Sequence, residues 1–155
     1  MEMRKAEIND FYTIMSWIKD KHECRMWAGN KVGFPLNIDN LLNDIKYSKD
    51  NSYCLINESN ILAFGQLFPK KDGFIHMARI IVAPSFRGFG YGKIICNNLL
   101  QITEQLGYRK VSLYAFRSNL ISMTLYNKIG FNEVVEKSSG DRCFMVKLNN
   151  LIKRI

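Results

Sequence analysis

The stretch Ile80-Ile81-Val82-Ala83-Pro84-Ser85-Phe86-Arg87-Gly88-Phe89-Gly90-Tyr91-Gly92-Lys93 decides how the chain is read. A β-branched run ends at a proline, a short connection follows, and alternate glycines lead into helical periodicity. A strand that turns through glycines into a helix is an anion site. Glycine lets the backbone approach a ligand closely, while the unpaired N–H groups and the dipole of the first helical turn point at whatever sits there.

Three phosphate loops compete for such a segment, and spacing separates them. The nucleotide triphosphatase pattern G-x-x-x-x-G-K-[ST] requires glycine where Arg87 stands and a hydroxyl where Ile94 stands. A dinucleotide G-x-G-x-x-G begun at Gly88 requires glycine at Lys93. Both fail. The residues present read R-x-x-G-x-G, at Arg87, Gly90 and Gly92.

Downstream, Ile95, Leu99, Ile102 and Leu106 continue a helix from Gly90 to Leu106, with Gly107 as its stop, and a strand follows from Lys110 to Ala115. Ser118 or Asn119 caps a helix to Ile129, Gly130 to Glu136 reads as a strand, and Arg142 to Leu148 as the last one. Upstream, Tyr53–Asn57, Ile61–Phe68 and Gly73–Ala83 form an antiparallel meander. Before it come a short strand over Met3–Ala6, a helix near Asp10 carrying Phe11, Ile14, Met15 and Ile18, and a helix from Ile38 to Tyr47. The segment Glu23 to Asn30, followed by Gly33-Phe34-Pro35, is aromatic and aperiodic, and is expected to be a loop. A meander followed by a strand-helix-strand crossover is an α+β pattern, with a mixed, mostly antiparallel central sheet flanked by helices.

The helix after Asn119 carries a second pattern, Asn119-Leu120-Ile121-Ser122-Met123-Thr124-Leu125-Tyr126-Asn127-Lys128-Ile129-Gly130-Phe131. At about 100° per residue, Asn119, Ser122 and Tyr126 share one face and Ile121, Leu125 and Ile129 another. The apolar stripe is expected to pack and the polar face to bind.

At 155 residues and 47% hydrophobic content the chain supports one domain, over 1–155, with no repeat, linker or low-complexity segment. Its start, Met1-Glu2-Met3-Arg4-Lys5, lacks the apolar core of a signal peptide, and no stretch has the length of a membrane span, so a cytoplasmic location is expected. Cys24, Cys54, Cys96 and Cys143 are too dispersed for metal-ligand spacing and read as packed, reduced thiols. The net charge of +8 favours an anionic partner, which charge alone leaves open among nucleic acid, an acidic membrane and a polyphosphate cofactor. Zinc-finger spacing, an RNA-recognition signature and an aromatic-interleaved basic stripe are all missing, so no nucleic-acid partner is expected, nor a membrane one.

The loop at Arg87–Gly92 resembles the acetyl-CoA pyrophosphate loop of the Gcn5-related N-acetyltransferase (GNAT) superfamily, and Asn119–Phe131 resembles its later motif, N-x-x-[small]-x-x-x-Y-x-K-x-G-F. Both occur in the family's order, on a matching element order across nearly the whole chain. The resemblance implies acetyl-CoA as acyl-donor co-substrate, no metal, and an amine acceptor, small molecule or protein, that attacks directly in a ternary complex. It implies that the pantetheine arm lies between the strand at Phe74–Ala83 and that at Lys110–Ala115, bonded to the backbone of Ile80, Ile81 and Val82. Arg87, Gly88, Phe89, Gly90, Tyr91, Gly92 and Lys93 would surround the pyrophosphate, and Asn119 would contact the cofactor from the other side.

The same resemblance makes Tyr126 the acid that protonates the departing thiolate, a role suited to a phenol with an ordinary pKa of ~10. Where many members carry a glutamate base, this chain has His76, whose imidazole type titrates near ~6.5 and can take a proton from an amine directly or through water. The strand alternation sets His76 on one face with Ala78, Ile80 and Val82. Trp27 and Phe34 are the expected walls of the acceptor site and Glu23 the carboxylate that steers an ammonium group. A degenerate acyl-CoA-binding domain and a basic nucleic-acid-binding module are the alternatives, and the oligomer is a monomer or homodimer.

Overall fold

Strand β1 (Glu2–Lys5) is tied to the start of helix α1 (Asp10–Met15) by a fork of two hydrogen bonds, from Arg4 to both carboxylate oxygens of Asp10 at 2.7 and 2.9 Å. The chain is described by a computed structural model over residues 1–151. Helix α2 (Lys21–Ala28) and helix α3 (Ile38–Asp44) follow, then strands β2 (Ser52–Asn57), β3 (Asn60–Pro69) and β4 (Phe74–Val82). Helix α4 (Tyr91–Gln105) leads to β5 (Lys110–Phe116), helix α5 (Leu120–Lys128), the two-residue β6 (Asn132–Glu133) and β7 (Arg142–Leu148).

The strands form one sheet of seven in the order β1-β2-β3-β4-β5-β7-β6. β4 and β5 are parallel and joined through α4, while β1/β2, β2/β3, β5/β7 and β6/β7 are antiparallel. The result is a mixed sheet flanked by helices, an α+β fold.

The chain divides into two compact units. The first, Met1–Gln66 with Arg79–Ile95, buries Phe11, Ile14, Trp17, Cys24, Trp27, Leu41, Ile45, Cys54 and Phe64 in one cluster. Removing such a side chain from water stabilises by about 1.5–3 kcal/mol, and the ring of Phe11 meets those of Phe64 and Tyr47 edge-on. The second, Leu67–Ala78 with Cys96–Ile155, buries Ile75, Met77, Leu99, Val111, Leu113, Phe131 and Met145.

The expected loop over Glu23–Asn30 is instead helix α2 for most of its length. Asp20 accepts a hydrogen bond from the Glu23 N–H at 2.8 Å, which satisfies one orphan donor of the helix start, and the Glu23 carboxylate accepts from the Lys19 N–H just before the cap at 3.0 Å. Cys24, Trp27 and Ala28 then bury at helical spacing, and Gly29, at φ +62, ends the helix. The expected strand from Gly130 to Glu136 is likewise cut short to Asn132–Glu133, because the chain turns into a short 3-10 helix at Val135–Lys137.

Helix α5 is rotated from its expected packing, with Tyr126 rather than the aliphatic stripe as its most buried residue. Ile121 is 87% exposed, whereas Tyr126 is buried and its ring meets Phe131 at 6.0 Å. Leu125 and Ile129 are half-buried, so the helix seats Tyr126 most deeply and leaves only the start of the aliphatic stripe in solvent.

Candidate functional site

In the first unit, β4 runs into a 3-10 turn at Pro84–Phe86 and then into the glycine loop. Gly88 and Gly90 sit at φ +85 and +86, a backbone region that an L side chain enters only at a cost of roughly 1–2 kcal/mol. A Cβ added at either would meet nothing within 4 Å. The Gly90 carbonyl accepts the Ile94 N–H at 3.2 Å, which makes Gly90 the last residue before the helix proper. Arg87, Gly88, Phe89, Gly90 and Lys93 are exposed, and Tyr91 and Gly92 are half-buried. Arg87 donates from Nε to the Val82 carbonyl at 3.0 Å, which folds the loop back on the strand that precedes it. Chemically this is an open cradle of backbone and positive charge at the N-terminus of a 15-residue helix.

Ile80, Ile81 and Val82 occupy the end of β4 and are half-buried. Arg79 has φ +52 within the strand, which interrupts the two-residue period, and the buried-every-second-residue pattern stops there. The expected common face of His76, Ala78, Ile80 and Val82 is therefore broken at Arg79. The distortion is held by side chains: Arg79 donates to the Gln66 Oε1 at 2.5 Å, and its own carbonyl accepts from the Trp27 indole at 2.8 Å. Burial lowers the Arg79 pKa to about 10.

In the second unit, the β4/β5 ladder joins only Phe74 to Lys110, Ile75 to Val111 and His76 to Ser112, although both strands continue. At its last pair, His76 Nδ1 lies 2.8 Å from the Ser112 hydroxyl, and Ser112 is buried. The imidazole also meets the Tyr114 ring at 5.5 Å.

Tyr126 is buried on α5, and burial, with Cys96 as a smaller contribution, pushes its phenol well above the ordinary range, so the hydroxyl keeps its proton and is a weaker acid than the ordinary phenol on which its expected role rests. Asn119 caps α5, its Oδ1 accepting from the Ser122 N–H at 3.3 Å.

The three residues expected at the acceptor site fall in the first unit. Trp27 is buried and bonded to Arg79, Glu23 is part of the α2 cap, and Phe34 is 38% exposed. Ser112 escaped the sequence reading. Its signal was a small polar residue opposite a strand histidine, which requires the register to be seen.

All four cysteines are buried and free. Burial raises each thiol, those of Cys54 and Cys96 to about 12, so none offers a thiolate near neutral pH. Among the described residues no helix is long and apolar enough to cross a membrane.

Residues 11–131 match the family model described as the acetyltransferase (GNAT) family. An uncharacterized N-acetyltransferase, YobR, of Bacillus subtilis is 32% identical over 65 residues, 42% of this chain and 26% of that protein, so the match spans about a quarter of the relative's length. The fold is similar to that of the PaiA N-acetyltransferase of Thermoplasma acidophilum in complex with coenzyme A, with TM-score 0.75, 20% identity, and 96% and 98% of the two chains covered. It is also similar to the ribosomal-protein-S18-alanine N-acetyltransferase of Escherichia coli, with TM-score 0.74, 17% identity, and 98% and 96% covered. The spermidine N-acetyltransferase of Vibrio cholerae, in complex with CoA and spermine, gives TM-score 0.74 at 19% identity, with 95% and 94% covered.

Proposed function

The chain belongs to the acetyltransferase (GNAT) family, and on that footing we propose that it moves an acetyl group from acetyl-CoA to a primary amine by direct attack in a ternary complex. The observation that carries the reading is the loop. Gly88 and Gly90 hold left-handed backbone, stand exposed with open space at their Cβ positions, and lead into the N-terminus of α4. A pyrophosphate fits such a cradle, because backbone N–H groups and the helix dipole neutralise it and side chains there would obstruct it.

In this reading Arg87, Gly88, Phe89, Gly90, Tyr91, Gly92 and Lys93 receive the pyrophosphate, the backbone of Ile80 to Val82 receives the pantetheine arm, and Asn119 contacts the cofactor with its side-chain amide nitrogen. The thioester supplies the activated acyl group. The chain's own residues handle the protons. His76, held by Ser112, takes the proton that the attacking amine loses, and Tyr126 gives its proton to the departing thiolate. Buried thiols without thiolate character favour attack by the amine itself over an acetylated cysteine.

The acceptor is a primary amine of a small molecule or a protein, with Phe34 in direct contact and Trp27 and Glu23 building the helix behind it. The reading carries with it a cytoplasmic location, no metal, no nucleic-acid or membrane partner, and a monomer or homodimer. The rival, an acyl-CoA-binding domain without turnover, is favoured by one feature, the histidine at position 76 where many family members carry glutamate.

A screen of primary amines monitored by free CoA release, beside thermal shift with acetyl-CoA, ATP and NAD, tests the proposal. Acetyl-CoA should raise the melting temperature well above either nucleotide, and at least one amine should release CoA. Stabilisation by acetyl-CoA without release would support the rival. Equal stabilisation by all three ligands would reduce the loop to a generic anion hole.

A further inference from the structure

One face of the second unit carries a row of rings that ends in cations. The register pairs His76 with Ser112, Tyr114 with Phe144 and Phe116 with Arg142, so these residues share a sheet face. The rings of His76 and Tyr114 are 5.5 Å apart and those of Tyr114 and Phe144 5.0 Å. The Arg142 guanidinium lies 3.6 Å over the Tyr114 ring, and the Lys137 ammonium 5.4 Å from the Phe144 ring. Tyr114 is 41% exposed, and both cations are exposed.

Neither cation makes an ion pair among the described residues. Two of the neighbouring acids have other partners: Glu133 holds Arg117 in a fork, and Asp141 accepts from the Ser118 N–H and hydroxyl. Stacking holds a guanidinium flat on a ring and leaves its N–H edge outward, the arrangement that takes a carboxylate in a two-pronged bond. The same Tyr114 ring meets both the Arg142 guanidinium and the imidazole of His76.

We propose that this face selects the acceptor, and that the preferred acceptor is an amine whose own molecule carries a carboxylate a few bonds away, as in an amino acid. The inference rests on the acetyltransferase reading, with the amine at His76. The carboxylate is held by Arg142, Lys137 adds long-range attraction, and the Tyr114 ring supports the carbon chain between. A polyamine presents a second cation to Arg142 and is disfavoured.

The test is a set of matched acceptors that differ by one carboxylate, lysine against cadaverine and β-alanine against ethylamine, each run with wild type, Arg142→Ala and Arg142→Lys. The wild type should prefer the carboxylate member of each pair by ~10-fold or more in kcat/KM, the order set by one charge-assisted contact. Arg142→Ala should remove most of that preference through KM, and Arg142→Lys should restore part of it. Thermal melts check that the exposed substitutions leave the fold intact. If the wild type acetylates cadaverine and ethylamine as well as their partners, the inference is overturned and the acetyltransferase reading stands. A preference that survives in Arg142→Ala also overturns it. If no amine of either kind is acetylated, the acetyltransferase reading falls and takes this inference with it.

Discussion

His76 Nδ1 and the Ser112 hydroxyl meet at 2.8 Å on the last residue pair that β4 and β5 share. The contact fixes the imidazole where the ladder stops, and Ser112 is buried, so little else competes for the hydroxyl. Ser112→Ala should therefore lower kcat several-fold, the order of one hydrogen bond worth about 1 kcal/mol, with little change in KM for acetyl-CoA. A variant with wild-type kcat would show that the ring is held by other means.

His76→Ala should lower turnover more, by about 10²-fold or more, and flatten the rise of rate between about pH 6 and 8. Rate-pH profiles of kcat/KM for the amine decide it. An unchanged profile would move the base to ordered water or another group.

Tyr126→Phe leaves the buried ring and its contact with Phe131 in place while removing the hydroxyl. Acetyl-CoA affinity should survive, and kcat should fall by about 10² to 10⁴ where acyl transfer limits the rate. A rate within about twofold of wild type would make Tyr126 a packing residue.

Gly90→Val should weaken CoA binding, because the side chain enters the open cradle, and should also cost about 1–2 kcal/mol of stability for an L residue at φ +86. Calorimetric titration and denaturant unfolding separate the two effects. Lost stability with normal CoA affinity would leave the loop a purely structural turn.

The hydrogen bonds from Arg117 hold the Glu133 carboxyl down at about 2, well below its ordinary range. A carboxyl whose folded pKa is depressed stabilises the fold above its unfolded pKa, and that contribution is lost as pH falls towards the folded value. Glu133→Gln should thus unfold more easily than wild type at pH 7, with the gap closing between about pH 4.3 and 2. A gap independent of pH would assign the effect to packing.

The turn of the glycine loop into α4 and the cap at Asn119 were legible in the sequence because local spacing sets them, whereas Tyr126, expected on a face free to bind, is buried. The order of most strands was legible too, since it follows alternation and turn residues. The start of helix α2 is written in the spacing of Asp20 and Glu23, a signal that the aromatic, glycine-bearing run from Trp27 to Gly29 obscures. The break in β4 at Arg79 depends on what lies across the fold, Gln66 on the neighbouring strand and Trp27 on α2. Trp27 stands 52 residues from Arg79, beyond any window in which local spacing is read.

Transfer of label from acetyl-labelled acetyl-CoA, followed with and without a panel of primary amines, tests the central claim most directly. The account predicts that label leaves CoA when a suitable amine is present and appears on its nitrogen, with none retained on the protein. Label that stays on tightly bound acetyl-CoA with every amine, or that accumulates on the protein, would contradict it.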